Sequence, residues 1–448
     1  ARQRRVCRRS AENCVNAGSR GALWRHTSDR RTNSHGPNGD RHRGHFCVPR
    51  RCRHHLGFDS DSSRVVALVG STELSVGGTT RPTGGDDMGV EERCHAVISL
   101  PAFRANLNQA REKLAGDAKL MVAIKSEAYG HGGVELARAA VDAGADALAV
   151  LDITQGKILR AVDPSIPLLC WLHSPSSDFA GAAQARLDVG ISGVWQLELL
   201  REQAPGLATR VHLKIDTGLH RNGALPELWP ELVRRAAELE KEGHISVVAI
   251  WSHLADTSLD EDRTSLQRFH DAVAIARESG LTPEILHIAA SAAAAELPET
   301  RLDLVRIGII AYGVSPFDDR SAQELGFQPV MAVHARVLSH SSDGTQAILG
   351  MGFGDGLLPP LTHDGWVSHG GVRFAIDTVE ADHMMISAHD GSALPALGDS
   401  VTLWGDPEGA SPRAEDWATW AGTIGDEVVA SVAQHVPRRF IEQTPTGE

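Results

Sequence analysis

The sequence predicts an α/β protein, with an N-terminal (β/α)8 barrel of the TIM type followed by a mostly β C-terminal domain. Three observations support this prediction. Eight apolar runs of strand length alternate with helix-period stretches between residues 119 and 310. No glycine-rich dinucleotide fingerprint follows the first run, which counts against a doubly wound sheet. After about residue 320, short apolar runs separated by Gly and Asp turns replace the alternation.

The eight apolar runs have the composition of strands that are buried on both faces. In chain order they are KLMVAIK (119–125), ALAVL (147–151), PLLCWL (167–172), VGISG (189–193), RVHLKID (210–216), ISVVAIWSH (245–253), EILHIAA (284–290) and LVRIGII (304–310). Helical-period stretches such as GVELARAAVDAG lie between most of them, as the connections of parallel strands require. Five later runs predict strands of the second domain: MAVHARVLSH, QAILGMGF, RFAIDTV, HMMISAHD and SVTLWG.

A change of composition divides the chain ahead of the first strand. Residues 1–87 contain 16 arginines, no lysine and 8 acidic residues, and they show neither the helical nor the strand period. The first methionine is Met88, and ordered periodicity begins just after it. We therefore expect residues 1–90 to be a disordered or non-native leader, residues 91–322 to form the barrel and residues 323–448 to form the β-rich domain.

The leader has two functional alternatives. Cys47, Cys52, His54 and His55 could form a zinc cluster, but their spacing fits no standard zinc site. The arginine excess would also suit an arm that binds nucleic acid. Because the basic residues are arginine alone, as in translated GC-rich upstream DNA, the non-native interpretation is favoured.

The rest of the chain has a different character. Residues 88–448 hold 28 basic and 49 acidic residues, which argues against nucleic acid as the main partner. No apolar stretch reaches the roughly 18 residues of a membrane span, and no secretory signal is visible. Cys94 and Cys170 are the only cysteines of this part, which suits a reducing cytoplasm and no disulfide framework.

Lys125 closes the first apolar run, four residues before one of only two tyrosines in the chain. A lysine at a strand end can lay its stem over apolar surface and extend its ammonium group into water. It can also be a Schiff-base lysine, whose amine is kept neutral and nucleophilic by its surroundings. The local sequence leaves both interpretations open.

Polar residues at the carboxyl ends of barrel strands are candidate catalytic groups. Besides Lys125, these positions hold Asp216, Arg221, His253, Ser291, Arg306 and Gly308. Cations combined with serine and glycine N–H groups at a helix start suit an anionic, aromatic, phosphorylated cofactor. Each residue alone has a structural alternative, so the ordered set carries the prediction.

Several motifs resemble those of the alanine racemase family, whose members are fold-type III enzymes that depend on pyridoxal 5′-phosphate. MVAIKSEAYGHG resembles the cofactor-lysine motif, VHLKIDTGLHRNG the D-T-G-M-x-R-x-G motif, and VRIGIIAYGVSP the R-x-G-x-x-x-Y-G motif. GMGFGDGL is similar to the family's G-Y-G-D-G segment, and VPRRF to its C-terminal tail. The resemblance runs from about residue 95 to 440, and the first three motifs are specific.

The resemblance implies a pyridoxal-phosphate site with defined residue roles. Lys125 would hold the cofactor as an internal aldimine and act as the base on one face of the substrate. Tyr129 would hydrogen-bond the phosphate group. Ser291, Gly308 and Ile309 would complete the phosphate cradle.

The resemblance also implies roles for the remaining cations and for the histidine. Arg306 would face the pyridine nitrogen and keep it unprotonated, which limits side reactions. Arg221 would lie near the phenolic oxygen and the substrate carboxylate, with Lys214 behind it, and His253 would lie beside the ring. Such a protein would interconvert L- and D-alanine, or a related amino acid, as a cytoplasmic homodimer with the site at the subunit interface and no metal.

The sequence departs from the family at the second catalytic base. Racemisation needs bases on both faces of the substrate Cα, and the family's second base is a tyrosine of the partner subunit, in a V-S-Y-G segment upstream of G-Y-G-D-G. Here VLSHSSDGTQAILG (337–350) contains no tyrosine, and both tyrosines of the chain, Tyr129 and Tyr312, belong to other motifs. The tyrosine of G-Y-G-D-G is Phe353.

Two further motif positions differ. The family's substrate-facing C-M-D or S-M-D triplet corresponds to Glu380–Asp382, in which Asp382 is retained and is the predicted substrate-binding residue. The tail motif, Y-E followed by an aliphatic residue, corresponds to Asp426–Val428. The cofactor half of the site is therefore nearly intact, whereas the half supplied across a dimer differs.

Three hypotheses about function follow. The first is a racemase with weakened or altered racemisation, in which His340, His253 or a water replaces the tyrosine. The second is a one-base enzyme of the lyase or aldolase type, which needs proton transfer on one face only. The third is a non-catalytic paralogue that binds pyridoxal phosphate. Loss of the acid–base group on one face would remove roughly 10² to 10⁴ in rate in that direction.

Overall fold

The computed structural model describes residues 93–388, 391–405 and 409–442. The leader expected for residues 1–90, with its zinc and nucleic-acid alternatives, lies outside the described residues. Within the described part of the chain, no helix combines the length and the apolar character needed to cross a membrane.

The strands are numbered in chain order. They are β1 (Cys94–Ser99), β2 (Lys119–Ala123), β3 (Ala147–Val150), β4 (Leu168–Cys170), β5 (Asp188–Ile191), β6 (Thr209–Lys214), β7 (Ile245–Trp251), β8 (Ile285–His287), β9 (Leu304–Ile307), β10 (Met331–His340), β11 (Gln346–Leu349), β12 (Trp366–His369), β13 (Val372–Val379), β14 (Met384–Ala388), β15 (Ser400–Trp404) and β16 (Arg438–Ile441).

The helices follow the same convention. They are α1 (Leu100–Ala110), α2 (Gly133–Asp142), α3 (Ile153–Leu159), α4 (Phe179–Gln184), α5 (Val194–Gln203), α6 (Trp229–Lys241), α7 (Leu259–Glu278), α8 (Ser291–Glu296), α9 (Ala414–Ala421) and α10 (Gly425–Ser431). A short π-helical segment, Arg111–Ala115, continues α1. Short 3-10 turns cover Pro298–Thr300, Ile309–Tyr312 and Phe353–Asp355.

The parallel strands form a barrel, with β2 to β9 in the spatial order β8–β7–β6–β5–β4–β3–β2–β9. Every paired neighbour is parallel, for example β2 with β9 and β7 with β8. Two backbone hydrogen bonds link β8 to β9, from Asp303 N–H to the Leu286 carbonyl and from Arg306 N–H to the Ala289 carbonyl, both 3.2 Å. The barrel is therefore nearly closed.

The eight apolar runs coincide with β2 to β9, so the predicted barrel is confirmed. The strands are shorter than the runs because the polar residues at their carboxyl ends leave the hydrogen-bonded ladder. Lys125, Asp216 and His253 all lie just beyond their strands. These ends form the barrel mouth, where side chains from neighbouring strands converge.

The helices on the outside of the barrel have the apolar period and the caps that their sequences predict. On α6 the buried residues are Trp229, Leu232, Val233, Ala236 and Leu239, which form one stripe facing the strands. At the start of α7, the Ser258 hydroxyl accepts a hydrogen bond from the Glu261 N–H at 3.2 Å. A large part of the hydrophobic core lies between this helical layer and the barrel strands, and the core continues into residues 330–436.

The second sheet confirms the predicted mostly β domain and has the order β11–β14–β13–β12–β15–β10–β1–β16. It is mainly antiparallel, and β10 also pairs with β11, which closes six of its strands into a small barrel. The long strand β10 changes register between Val337 and Ser339, so that its two ends can pair with different neighbours.

The strand β1 lies in the second sheet although it is the first element described. It pairs antiparallel with β10 and parallel with β16. Residues 94–99 therefore fall inside the range 91–322 predicted for the barrel but are hydrogen-bonded to the β domain. Their alternating buried and half-buried pattern is that of a strand with one face on a core. The exact domain bounds stay a prediction.

Candidate active site

A cavity of about 310 Å³ opens at the barrel mouth. It is lined by nine residues that the resemblance assigned to the site: Lys125, Tyr129, Lys214, Arg221, His253, Ser291, Arg306, Gly308 and Ile309. These residues follow or close five different strands and are up to 184 positions apart in the chain, from Lys125 to Ile309. The barrel topology brings them together because it places the carboxyl ends of all its strands at one mouth.

Lys125 begins a left-handed helical turn that ends at Tyr129. Ser126, Glu127, Ala128 and Tyr129 all have φ between 53° and 55°, a region that L-residues other than glycine rarely adopt. The Lys125 ammonium lies 5.0 Å from the centroid of the Tyr129 ring, at the two ends of this turn. Backbone strain of this kind persists only where surrounding contacts enforce it.

Two side chains from outside the turn hold it in place. The fully buried His131 contacts the carbonyls of Ala128 and Tyr129 through Nδ1, at 2.9 and 3.0 Å, so Nδ1 carries the hydrogen. Arg438 of β16 donates from Nε to the Gly130 carbonyl at 3.0 Å. The C-terminal tail, whose VPRRF motif the sequence flagged, therefore braces the lysine motif.

Tyr129, Ser291, Gly308 and Ile309 form one wall of the cavity. The Gly308 N–H donates to the Ser291 hydroxyl at 3.2 Å. A Cβ at position 308 would lie 2.6 Å from the Tyr129 hydroxyl oxygen, so only glycine leaves room for that hydroxyl. Hydroxyls and backbone N–H groups at a turn are the donors that a phosphate group needs.

The loop after β6 carries Arg221 to the mouth. Asp216 shapes it, since its carboxylate accepts hydrogen bonds from the N–H groups of Gly218 (2.9 Å) and His220 (3.1 Å). Gly223, with φ of +140°, packs so closely that a Cβ would lie 2.6 Å from the Asp216 nitrogen. The motif D-T-G…R-N-G therefore corresponds to a folded loop, residues 216–223, that holds Arg221 at the barrel mouth.

Arg306 is buried and has four hydrogen-bond partners. Its Nη2 donates to the carbonyls of Ser252 (3.0 Å) and Ile288 (2.9 Å) and to His253 Nδ1 (3.0 Å). Its Nη1 donates to His287 Nδ1 at 3.1 Å. Because the guanidinium has no acceptor, both histidines must present unprotonated Nδ1 atoms to it. Burial followed by the charge of Arg306 holds the pKa of each histidine well below its usual range.

A chain of buried hydrogen bonds continues from Arg306 through the barrel interior. His287 Nε2 bonds His212 Nδ1, and His212 Nε2 bonds an oxygen of Asp188, each at 3.1 Å. Arg210 donates to both oxygens of the same carboxylate, at 2.8 and 3.2 Å. Burial raises the pKa of Asp188, but the hydrogen bonds and charges of His212 and Arg210 outweigh it and lower the pKa overall.

Lys214 and Trp251 lie beneath the arginines. The Lys214 ammonium is 4.2 Å from the Trp251 ring centroid, and the Arg306 guanidinium is 5.2 Å from it. Burial, with the charges of Arg306 and Arg221, lowers the pKa of Lys214 to about 7. The buried indole nitrogen of Trp251 has no hydrogen-bond partner among the described residues. This part of the cavity, formed by Lys214, Trp251 and Arg306, therefore favours a ligand with negative charge and hydrogen-bond acceptor atoms.

The cavity also contains residues that the sequence did not identify as site residues. Asp426 of α10, Asp256 in the loop after β7, Trp171 after β4 and Trp251 all line it. A signal existed for Asp426, because it occupies the tyrosine position of the tail motif. No sequence signal marked the two tryptophans or Asp256, since nothing local shows that they share a cavity with Lys125.

The predicted site residue Asp382 does not line the cavity of its own chain. Its side chain is largely exposed and bonds His383 Nδ1 at 2.7 Å. The neighbouring residues Glu380 and Ala381 accept backbone hydrogen bonds from Phe353 and Gly354, both at 2.8 Å. Three positions that differ from the family pattern, Phe353, Glu380 and Ala381, thus form one strip on the β domain.

The segment without the tyrosine is a short hairpin between β10 and β11. The Ser341 N–H donates to the Gln346 carbonyl at 3.0 Å, and the Asp343 carboxylate accepts from the hydroxyls of Ser341 and Thr345. His340 contacts the Pro395 carbonyl through Nε2 at 2.9 Å. His340, named above as a replacement base, therefore lies at a groove of the β domain and does not line the cavity of its own chain.

These features fit a phosphorylated aldehyde cofactor such as pyridoxal phosphate. The cavity has a donor wall for phosphate, a half-buried amine at Lys125 and an excess of cations over carboxylates. Burial, followed by the charge of Arg221, lowers the pKa of Lys125, while Asp426 opposes them. A lowered amine pKa increases the neutral, nucleophilic form that condenses with an aldehyde.

Comparison with protein families supports this assignment over most of the described chain. Residues 98–316 match the family model for the N-terminal domain of alanine racemase. Residues 335–440 match the model for the C-terminal domain of alanine racemase. The two matches cover the parallel barrel and the β domain respectively.

Individual relatives and solved structures give the same result. The alanine racemase of Frankia casuarinae is 36% identical over 386 residues, which is 81% of this chain and 100% of that protein. The alanine racemase of Streptomyces coelicolor is 35% identical over 380 residues, 78% of this chain and 96% of that protein. The crystal structure of alanine racemase from Streptomyces lavendulae matches with a TM-score of 0.74 at 35% identity, covering 79% of this chain and 98% of that one.

Proposed function

The chain belongs to the alanine racemase family, and from that premise we propose that it is a pyridoxal-phosphate-dependent amino-acid racemase acting on alanine or a related amino acid. The observation that carries the proposal is the single cavity in which Lys125, Arg221, Arg306 and the Tyr129–Gly308 wall meet. We further propose that racemisation is weakened or altered, because the chain has no tyrosine left for the second face of the substrate.

The bound cofactor would supply the electron sink that acidifies the substrate Cα–H bond. Lys125 would hold the cofactor aldehyde and accept the Cα proton on one face. Tyr129, with the Ser291 hydroxyl and the N–H groups at Gly308 and Ile309, would hold the phosphate group.

Four further side chains would contact the cofactor or a substrate. Arg306 would donate to the pyridine nitrogen, and its two histidine partners keep the guanidinium in position. Arg221 would bind the substrate carboxylate, because its guanidinium is the exposed cation at the mouth. His253 would pack beside the cofactor ring. Asp382 would face the substrate of a partner subunit.

Membership of the family supports a proposal about assembly. We propose a homodimer in which the β domain of one subunit completes the site of the other, so that Phe353 and Glu380–Asp382 contribute across the interface. We propose a cytoplasmic location, because Cys94 and Cys170 are buried free thiols, as a reducing compartment allows.

Two alternative functions are also proposed for this chain. A one-base lyase or aldolase-type enzyme is favoured by the absent tyrosine, since such chemistry needs proton transfer on one face only. A non-catalytic paralogue that binds pyridoxal phosphate would keep the cavity but exchange no substrate protons.

The first test is cofactor capture. Purified protein titrated with pyridoxal phosphate should gain the visible absorbance of a lysine-bound cofactor, and borohydride should remove it. Lys125→Ala should show neither change and should lose substrate exchange by roughly 10³-fold or more. A cofactor-saturated wild type without this absorbance would contradict both catalytic functions.

The second test is deuterium exchange from solvent into the Cα of L- and D-alanine. Exchange into both enantiomers supports the racemase. Exchange into one supports the one-base alternative, and exchange into neither, in protein that binds the cofactor, supports the non-catalytic paralogue.

A further inference from the structure

The cavity that holds Lys125 contains few other side chains able to exchange a proton with a substrate carbon. Besides its arginines and lysines, the described residues place there the phenol of Tyr129, the imidazole of His253 and the carboxyls of Asp256 and Asp426. Each of these groups is a candidate for proton exchange on the second face of the substrate, and the inference rests on the racemase function proposed above.

Tyr129 and His253 are committed to other contacts. The Tyr129 hydroxyl packs against Gly308, and burial raises its pKa, so the phenol retains its proton. His253 Nδ1 accepts a hydrogen bond from Arg306 at 3.0 Å, and burial with that cation lowers the pKa of His253. The acceptor nitrogen of His253 is thus occupied and cannot take a proton from the substrate.

The two carboxyls lie in different surroundings. Asp256 belongs to the exposed loop after β7, and the cations that act on it are Arg306 and Arg221. Asp426 lies in the first turn of α10, is half-buried, and the cation that acts on it is Lys125. No cation among the described residues lies within 4.0 Å of the Asp426 carboxylate, so no ion pair consumes it.

We propose that Asp426 is a catalytic acid–base residue that exchanges a proton with the substrate Cα and replaces, within the same chain, the tyrosine missing from the partner segment. Its carboxyl shares the cavity with the Lys125 amine, and it occupies a motif position at which the family pattern has a tyrosine. A carboxyl and an amine in one cavity form an acid–base pair that needs no partner subunit.

The proton transfers balance. When Lys125 removes the Cα proton, the C–H bond breaks, its electron pair remains on the substrate, and an N–H bond forms on Lys125. The carboxylic acid of Asp426 then gives its proton to Cα, so an O–H bond breaks, a C–H bond forms and a carboxylate remains. A proton passes from the Lys125 ammonium to the Asp426 carboxylate through solvent in the cavity, which restores both groups. In the opposite direction the two residues exchange roles.

The electrostatics of the pair favour this exchange. Burial is the main cause of the lowered pKa of Lys125, and burial is also the main cause of the raised pKa of Asp426. Each shift narrows the usual difference between the pKa of an amine and the pKa of a carboxyl. Acid–base catalysis is most efficient when the pKa of the catalytic group approaches the working pH. On the neighbouring helix α9, the Glu415 carboxylate is engaged elsewhere, because it accepts from the Ser315 N–H at 2.9 Å.

The test uses three variants of the full chain loaded with cofactor. Asp426→Asn removes the titratable group at nearly constant shape, and Asp426→Glu keeps it. Glu427→Gln is the matched control, because Glu427 is the next residue of α10, is exposed, and accepts a hydrogen bond from the Thr423 hydroxyl. The readouts are deuterium exchange into each enantiomer of alanine and the cofactor affinity from absorbance titration.

We expect wild type and Glu427→Gln to exchange deuterium into both enantiomers of alanine, and the rate for each enantiomer should be the same in the two proteins. Asp426→Asn should bind the cofactor as wild type does, keep exchange into one enantiomer, and lose roughly 10²-fold or more in the other, and Asp426→Glu should recover part of that loss.

Equal exchange in wild type and Asp426→Asn overturns the inference and leaves the proposed function standing. Loss of cofactor binding in Asp426→Asn also overturns it, because the role is then structural. Wild-type exchange into one enantiomer alone overturns it in favour of the one-base alternative, and a wild type that binds cofactor without any exchange overturns the proposed function as well.

Discussion

In the barrel mouth, the Arg306 guanidinium has four hydrogen-bond partners from the ends of two neighbouring strands, whereas the Asp382 side chain on the β domain extends largely into solvent. Both residues are motif positions of the same family, so the difference lies in how the chain supports them. A buried charge requires a complete set of partners, and those partners keep it in one orientation. An exposed charge carries no such requirement.

The comparison explains the departures from the family pattern that lie on the surface of the β domain. Arg306 and the histidines His253, His287 and His212 are linked by hydrogen bonds, so replacing any of them would leave a polar group unpaired in the interior. Phe353, Glu380 and Ala381 lie on a surface strip, where replacement costs the isolated chain little. Substitution at that strip leaves the buried contacts of the barrel intact.

The largest effect on stability is expected where the buried network meets its carboxylate. Asp188→Asn removes the charge that Arg210 and His212 both contact, and should lower the free energy of unfolding by about 3 kcal/mol, less than for a fully buried pair because Arg210 is partly exposed. Urea unfolding measures this change. Glu202→Gln, which alters an exposed pair with Arg201 at 3.8 Å, is the matched control and should change stability by less than about 0.5 kcal/mol. Equal effects of the two substitutions would contradict the contrast between interior and surface.

A smaller, pH-dependent effect is expected at Lys214. Its pKa is lowered to about 7 in the folded protein, mainly by burial, from 10.5. Below pH of about 7 the buried amine is charged and the full destabilisation is present. As the pH rises from about 7 towards 10.5, the unfolded chain keeps the proton that the folded chain has lost, so stability rises with pH.

Lys214→Met should therefore be more stable than wild type by about 2 kcal/mol below pH 7, and the difference should shrink above it. Denaturant unfolding at several pH values measures both quantities. A difference that does not depend on pH, or that grows as the pH rises, would show that Lys214 is not a destabilising buried cation.

The smallest effect is expected at the surface strip. Asp382→Ala removes an exposed side chain whose contact is the half-buried His383, so urea unfolding should show no measurable change in the stability of the chain. Cofactor affinity should also be unchanged, because Asp382 does not line the cavity of its own chain. Reduced substrate turnover with unchanged cofactor affinity would sharpen the comparison, since it would place Asp382 across a subunit interface. A large loss of stability would contradict it.

Much of the fold could be predicted because the barrel repeats one unit. Each of the eight strands is an apolar run bounded by polar residues, and this local pattern suffices to count and order them. The strands β1, β12 and β16 were not among the predicted runs. The sequence CHAVIS is compatible with a strand in either domain, and only its pairing with β10 and β16 assigns it to the second sheet.

The candidate site also has residues that the sequence could predict and contacts that it could not. Lys125, Arg221, His253, Ser291, Arg306 and Gly308 are visible in the sequence because each follows or closes a barrel strand, and the barrel guarantees that such positions converge. His212 and His287 could not be paired from sequence, because they point into the barrel interior from β6 and β8, 75 residues apart. The bracing of the Lys125 turn by Arg438 likewise joins residues 308 positions apart, Gly130 and Arg438.

By itself the sequence determined the barrel, the lysine that closes its first strand, and the fact that the chain has two tyrosines, Tyr129 and Tyr312, both placed in other motifs. These are matters of local pattern and residue count, which need no knowledge of distance. Only the tertiary structure decided that Asp426 shares the cavity with Lys125 and that Asp382 does not. The physical reason is that cavity membership depends on how α10 of the β domain packs against the barrel mouth, and no local spacing encodes that packing.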